Sequence, residues 1–187
     1  MIHFSSIHIK TDRLILRPIA LRDLDATYRI YSDNETMKFW SEPPLQNPAQ
    51  AKQKIIRNRL ANQKDEVLTL ALESKESQIM IGQISLFNSH KNSARAEIGY
   101  VLSRSHWHKG LMSEALMAFI HFCFTDLNLR RLEADIDPAN TASSMLLKSL
   151  GFSKEGLLKQ RWMVGKLITD SELYGLVNKT WSREPQE

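Results

Sequence analysis

The residues best placed to do chemistry together lie between Tyr100 and Ala115. Tyr100-Val101-Leu102 is followed by a polar loop, Ser103-Arg104-Ser105-His106-Trp107-His108-Lys109. A single glycine, Gly110, then precedes Leu111-Met112-Ser113-Glu114-Ala115. The order is strand, loop, glycine, helix start. The first N–H groups of such a helix have no partner inside it and lie at the positive end of its dipole. A diphosphate is the natural occupant of that corner. Gly110 permits close backbone approach and Lys109 adds positive charge. The segment is neither the nucleotide loop GxxxxGK(S/T) nor the dinucleotide fingerprint GxGxxG. The plainer alternative is a helix capped after a loop, with Ser113 assisting in the first turn.

His106 and His108 flank Trp107, but further metal ligands do not converge on them, so no metal is expected. They read as loop histidines, with His108 near the phosphate. The one cysteine, Cys123, excludes an intrachain disulfide and a Cys-based zinc site. It falls in an apolar stripe with Leu116, Phe119, Ile120 and Leu127, which makes it a core residue rather than a nucleophile.

These groups need a scaffold, and the composition allows an ordinary one. The chain has 187 residues, 42% hydrophobic and 25% charged, with 25 Lys and Arg against 21 Asp and Glu. The resulting net charge of +4 is too small to argue for nucleic acid. The first residues, Met1 to Ser6, lack the apolar stretch of a secretory signal, and no apolar run is long enough to span a membrane. A single domain over 1–187 is expected, with its core at about 11–178 and a frayed tail at 182–187. Its expected location is cytoplasmic, with no membrane or nucleic-acid partner, as a monomer or homodimer.

Strands are expected at Leu14–Leu16, Val67–Glu73, Met80–Phe87, Ala94–Leu102 and Arg131–Asp137. Two more run from about Ser153 to Trp162 and Ile168 to Asn178, turning at Val164-Gly165-Lys166. On the strand ending at Leu102, Ala96, Ile98 and Tyr100 share one face, and Arg95, Glu97, Gly99 and Val101 the other. Helices are expected at Asp23–Ser32, after Asn47, through the Cys123 stripe, and over Asn140–Leu150. Asn47 would cap with Pro48 in the first turn and Gln50 reaching back to the cap. That helix would bury Ile55, Ile56 and Leu60 and turn Lys52, Lys54, Arg57 and Arg59 to water. Gly151 would end the Asn140 helix, with Phe152 making the apolar contact that follows such a glycine. The interleaving argues for a mixed α/β fold.

Trp107-His108-Lys109-Gly110-Leu111-Met112 resembles the acetyl-CoA pyrophosphate loop of the GNAT N-acetyltransferases. The closer likeness is to their Rim-type branch, the ribosomal-protein alanine N-acetyltransferases. There Trp often opens the loop and a Gly-hydrophobic-Met-Ser/Thr-Glu run follows. The resemblance extends over about Thr11 to Asn178. It includes Thr-Asp-Arg-Leu-Ile-Leu-Arg at 11–17, Ala96-Glu97-Ile98-Gly99-Tyr100, Asn140-Thr141-Ala142-Ser143, and Lys148-Ser149-Leu150-Gly151-Phe152. It implies about seven strands in a mostly antiparallel sheet splayed at its middle, flanked by about four helices.

The resemblance also implies a reaction: direct attack of a primary amine on acetyl-CoA, most simply a protein N-terminus such as that of a ribosomal protein. A small amine (polyamine or aminoglycoside) is the rival acceptor, and a non-catalytic CoA-binding module the rival class. Tyr100, Val101 and Leu102 would receive the pantetheine arm and polarise the thioester carbonyl. Trp107, His108, Lys109, Gly110, Leu111, Met112 and Ser113 would surround the diphosphate. Met112 stands where Gly or Ala is commoner, which would seat it slightly differently. Glu97 is the candidate base, with Glu133 and Asp135 as competitors and a pairing with Arg95 as the structural alternative. Ser143 matches the serine that stabilises the departing thiolate in the Rim-type branch; its alternative is a helix cap. Asn140 carries the same duality, cap or cofactor contact. The branch can also present a glutamate after the final helix, where this chain has Lys159-Gln160-Arg161-Trp162. Trp40 and Trp162 are the candidate acceptor-side aromatics, or else cover a core edge.

Overall fold

Alternation of apolar and polar residues builds the strands, and they assemble into one sheet. The computed structural model describes residues 2–181, so the tail expected to fray, at 182–187, lies outside the described residues. The strands are β1 (Ile9–Lys10), β2 (Leu14–Pro18), β3 (Leu68–Ser74), β4 (Met80–His90), β5 (Arg95–Leu102), β6 (Arg131–Ile136), β7 (Ser153–Val164) and β8 (Leu167–Val177). The α-helices are α1 (Leu24–Ser32), α2 (Asn34–Met37), α3 (Pro48–Gln63), α4 (Leu111–Thr125) and α5 (Thr141–Ser149). The sheet order is β1-β2-β3-β4-β5-β6-β8-β7. Neighbours are antiparallel except β5 and β6, whose parallel pairing is made possible by the crossover through α4. The mixed fold is the one expected, with one strand and one helix more. The two-residue β1 and the four-residue α2 are too short to show a period.

Each face of the sheet carries its own core. Leu70, Leu72, Ile84, Ala96, Ile98 and Leu132 pack beneath Leu116, Phe119, Ile120 and Cys123 of α4, all of which are fully or nearly fully buried. The opposite face places Ala71, Met80 and Val101 against Ile30, Tyr31 and Ile55 of α1 and α3. The strand alternation therefore reads correctly on β5. Glu97, Gly99 and Val101 face the α1–α3 side, and Ala96 and Ile98 the α4 side.

Local chemistry fixes the helix ends. Asn47 caps α3 by accepting from the Gln50 N–H at 3.1 Å, but Gln50 Oε1 accepts from the Gln46 N–H at 2.7 Å, one residue before the cap. The expected α3 stripe needs correcting. Ile55 is buried, whereas Ile56 and Leu60 are 41% and 52% exposed. Lys54 does not simply face water: its Nζ lies 4.5 Å from the Tyr31 ring centroid and 3.2 Å from Glu42. With α3 seated across β3, only one side of its turn reaches the sheet. At α5, Gly151 adopts φ +96°. The Phe152 N–H donates to the Leu147 carbonyl and the Gly151 N–H to that of Lys148, both at 3.0 Å. Phe152 is buried, as this glycine-terminated helix end requires.

The feature that positions the site is a fork. β5 and β6 pair only at Arg95↔Arg131, Ala96↔Leu132 and Glu97↔Glu133. Beyond Glu97 they separate, while β5 stays paired with β4 as far as Gly82↔Leu102. Arg95 and Arg131 grip Glu133 at 2.8 and 2.7 Å and hold the closed end. Among the described residues, no helix is long and apolar enough to cross a membrane.

Candidate active site

A cleft of about 1090 Å³ opens along the fork. Every site residue expected from the sequence lines it, Glu97, Ser113, Ser143, Trp40 and Trp162 among them.

The corner expected to receive the diphosphate is built by β5, the following loop and α4. Gly110 sits at φ +72°, a conformation a glycine adopts without steric cost, and His108 at φ +58°. The first α4 ladder bond runs from the Glu114 N–H to the Gly110 carbonyl at 3.0 Å. The N–H groups of Leu111, Met112 and Ser113 precede it and lie at the positive end of the helix. The Trp107 indole Nε1 donates to the Leu102 carbonyl at 2.7 Å, fastening the loop to the end of β5. That carbonyl is thereby engaged inside the protein. Burial, with Lys109 nearby, pushes His106 below its ordinary value, so near neutral pH it adds no cation.

Arg13 and Glu114 brace this corner, a role the sequence reading did not give them. Arg13 donates to Glu114 from Nε at 2.6 Å and from its backbone N–H at 2.8 Å. Thr11 Oγ1 donates to the same carboxylate at 2.5 Å, and Arg13 Nη1 to the Lys109 carbonyl at 2.9 Å. Burial pushes the Glu114 carboxyl up, but the bonds from Thr11 and Arg13 outweigh it and hold it below the usual range. The signal was the co-occurrence of two segments already singled out, 11–17 and 110–114.

Three carboxylates stand near the fork, and their partners and their access to the cleft, which Glu97 and Asp135 line, separate them. Glu133 is held by Arg95 and Arg131. Asp135 accepts from Arg161 at 2.9 Å, from the Trp162 indole at 3.4 Å and from the Ser171 hydroxyl. Glu97 is half-buried, lines the cleft and has no hydrogen bond or ion pair among the described residues. Arg95 goes to Glu133 and not to Glu97, because the parallel register sets Glu133 beside Glu97 and within Arg95's reach.

Ser143 and Asn140 stand across the fork on α5. Asn140 Oδ1 accepts from the Ser143 backbone N–H at 3.1 Å, so the cap is real and uses only the amide oxygen. The Ser143 hydroxyl lies 2.6 Å from that of Tyr100. On the far side, Trp40 packs edge-on against Tyr31, with centroids 5.6 Å apart, and so both covers a core edge and lines the cleft. Trp162 is 41% exposed. Tyr31 Oη, Asn58 Nδ2 and Gln83 Oε1 are buried without hydrogen-bond partners, and all three residues line the cleft.

Residues 13–153 match the family model described as acetyltransferase (GNAT) domain. The chain is 35% identical over 172 residues to the uncharacterized N-acetyltransferase p20 of Bacillus licheniformis, covering 92% of this chain and 97% of that protein. It is 27% identical over 183 residues to the [ribosomal protein uS5]-alanine N-acetyltransferase of Escherichia coli, covering 94% and 93%. The solved structure of Mycobacterium smegmatis RimJ in complex with CoA-disulfide superposes with a TM-score of 0.85 at 24% identity, covering 99% of this chain and 94% of that one. The forked sheet, the brace behind Gly110 and the match over most of the chain have one reading: the chain belongs to the GNAT family of acetyl-CoA-dependent N-acetyltransferases.

Proposed function

We propose that the fork transfers acetyl from acetyl-CoA to the N-terminal amine of a protein, with Glu97 as base and Ser143 at the departing sulfur. The observation that carries this is the position of Glu97. It is an unpaired carboxylate where β5 loses its β6 partner, facing the cleft that ends at the α4 N-terminus.

Acetyl-CoA supplies the activated thioester. The N–H groups of Leu111, Met112 and Ser113 donate to its diphosphate, with Lys109 alongside. The β5 edge at Tyr100, Val101 and Leu102 takes the pantetheine arm by strand-like pairing. A backbone N–H of that edge facing the thioester oxygen is worth about 3 kcal/mol in a site closed to water. Most of the remaining acceleration is positioning of the amine.

The base has a modest task with this acceptor. An α-amine of pKa ~8 costs about 1 kcal/mol to neutralise at pH 7, whereas a lysine of pKa ~10.4 costs about 4–5 kcal/mol. A half-buried glutamate, directly or through water, suits the first. The acceptor half of the cleft also favours a peptide. Two of its carboxylates, Glu42 and Asp135, are paired with Lys54 and Arg161, which lowers the negative charge offered to a polycation, while Glu35, Asp137 and Asp170 also line the cleft. The unpartnered groups of Tyr31, Asn58 and Gln83 suit the neutral amide groups of a peptide. The activity named for the Escherichia coli relative is in keeping with this reading. A cytoplasmic location would bring the cleft to acetyl-CoA and nascent or assembled proteins.

The test is release of free thiol from acetyl-CoA with a panel of peptides bearing free N-termini, against polyamines and aminoglycosides. Turnover with N-terminal peptides well above that with the small amines is expected. Preference for the polycations would overturn the acceptor assignment, and CoA binding without thiol release across the panel would leave only a binding module.

A further inference from the structure

Tyr100 of β5 and Ser143 of α5 bring their hydroxyl oxygens within 2.6 Å of each other. Tyr100 lies near the end of β5, and Ser143 in the first turn of α5. The Asn140 cap takes the Ser143 backbone N–H and leaves its hydroxyl unused. Two hydroxyls carry two protons, and the bond between them uses one. A phenol is the more acidic O–H and the better donor, and a serine oxygen the better acceptor. Burial pushes the Tyr100 phenol up to about 12, so it keeps its proton at neutral pH. Tyr100 therefore donates to Ser143, and the Ser143 proton is left for a third atom in the cleft that both residues line.

The neighbouring pair is wired differently. Ser144 Oγ lies 2.7 Å from Tyr174 Oη, whose own proton goes to Glu172 at 3.0 Å. Ser144 thus spends its proton on Tyr174, within the protein. The two pairs differ in where the spare proton points.

We infer that Tyr100 is a positioning residue for acetyl transfer, holding and polarising the Ser143 hydroxyl as a donor to the departing thiolate. The inference rests on the reading of Ser143 above. As the amine nitrogen bonds to the carbonyl carbon, the C–S bond breaks and its electron pair goes to sulfur. Ser143 and Tyr100 keep their protons throughout. The proton lost by nitrogen passes to Glu97 and on to solvent, and sulfur is protonated from solvent.

The test is steady-state and single-turnover acetyl transfer by Tyr100→Phe, Ser143→Ala, the double variant and Ser144→Ala, with CoA affinity by calorimetry to verify an intact fork. Tyr100→Phe should lower kcat by up to about tenfold, the scale of one neutral hydrogen bond, with the KM for acetyl-CoA nearly unchanged. Ser143→Ala should lose at least as much, and the double variant no more than Ser143→Ala alone. Ser144→Ala should keep its rate. Full kcat in Tyr100→Phe beside a slow Ser143→Ala overturns the role of Tyr100 and leaves Ser143 at the sulfur. A double variant far slower than Ser143→Ala also overturns it, because Tyr100 would then act independently. Full kcat in Ser143→Ala overturns the underlying reading instead.

Discussion

The Arg13 guanidinium donates to the Glu114 carboxylate at 2.6 Å across 101 positions of sequence, and with its other arm reaches the Lys109 carbonyl at 2.9 Å. The residue preceding β2 thus holds both the loop before Gly110 and the first turn of α4. A charged pair with backbone contacts on both sides fixes the direction of the α4 N–H groups, and so the shape of the proposed anion site.

Arg13→Ala should weaken CoA binding about tenfold, about 1.4 kcal/mol, with little change in kcat at saturation. The side chain is 52% exposed, so solvent screening limits its contribution to overall stability. Calorimetric titration with CoA measures the effect. Wild-type affinity in Arg13→Ala would mean the loop keeps its shape without the brace.

Acid should loosen the same corner. Glu114 titrates below its unfolded value of about 4.3, so its bonds stabilise the fold fully above that pH and are lost as pH falls through the folded value. Thermal midpoints of wild type and Glu114→Gln, followed from neutral pH into acid, should differ most at neutral pH and converge as pH falls through the folded value. A gap that stays constant with pH would show that the carboxylate charge is not what matters.

At Gly110, charge and strain can be separated. Its φ of +72° disfavours most side chains, but an added Cβ meets nothing nearer than Arg13 Nη2 at 3.5 Å. Asn and Asp tolerate this conformation better than other residues. Gly110→Asn should therefore bind CoA moderately less well. Gly110→Asp, equal in shape but negative, should lose at least a further order of magnitude by repulsion of the diphosphate. Equal affinities for the two variants would remove the anion from this corner.

Glu97→Gln should slow acetyl transfer by about 10²-fold or more while CoA affinity and thermal midpoint stay near wild type. The second half follows from the absence of any ion pair to Glu97 among the described residues. A large fall in thermal midpoint with the rate unchanged would assign Glu97 to the scaffold instead.

Much of this molecule was legible because short-range physics wrote it. The 3-4 rhythm of Leu116, Phe119, Ile120 and Cys123 announces a buried helix face, and all four are buried. Asn47 and Asn140 cap as their positions imply, and Gly151 with Phe152 ends α5 as glycine geometry demands. On α3 the same reasoning overreached with Ile56 and Leu60. An amphipathic pattern tells which residues are able to be buried, not how wide a stripe the sheet beneath will cover.

By itself, the chain order of residues determined the elements, the two faces of β5 and the strand-loop-glycine-helix corner, since each depends on neighbours a few positions apart. Tertiary structure alone decided that β5 parts from β6 after Glu97, that Arg95 takes Glu133 and leaves Glu97 free, and that Arg13 braces Glu114. Those outcomes depend on strand register and on side chains meeting across the fold, where many partners of equal chemistry compete and only the packed geometry selects among them.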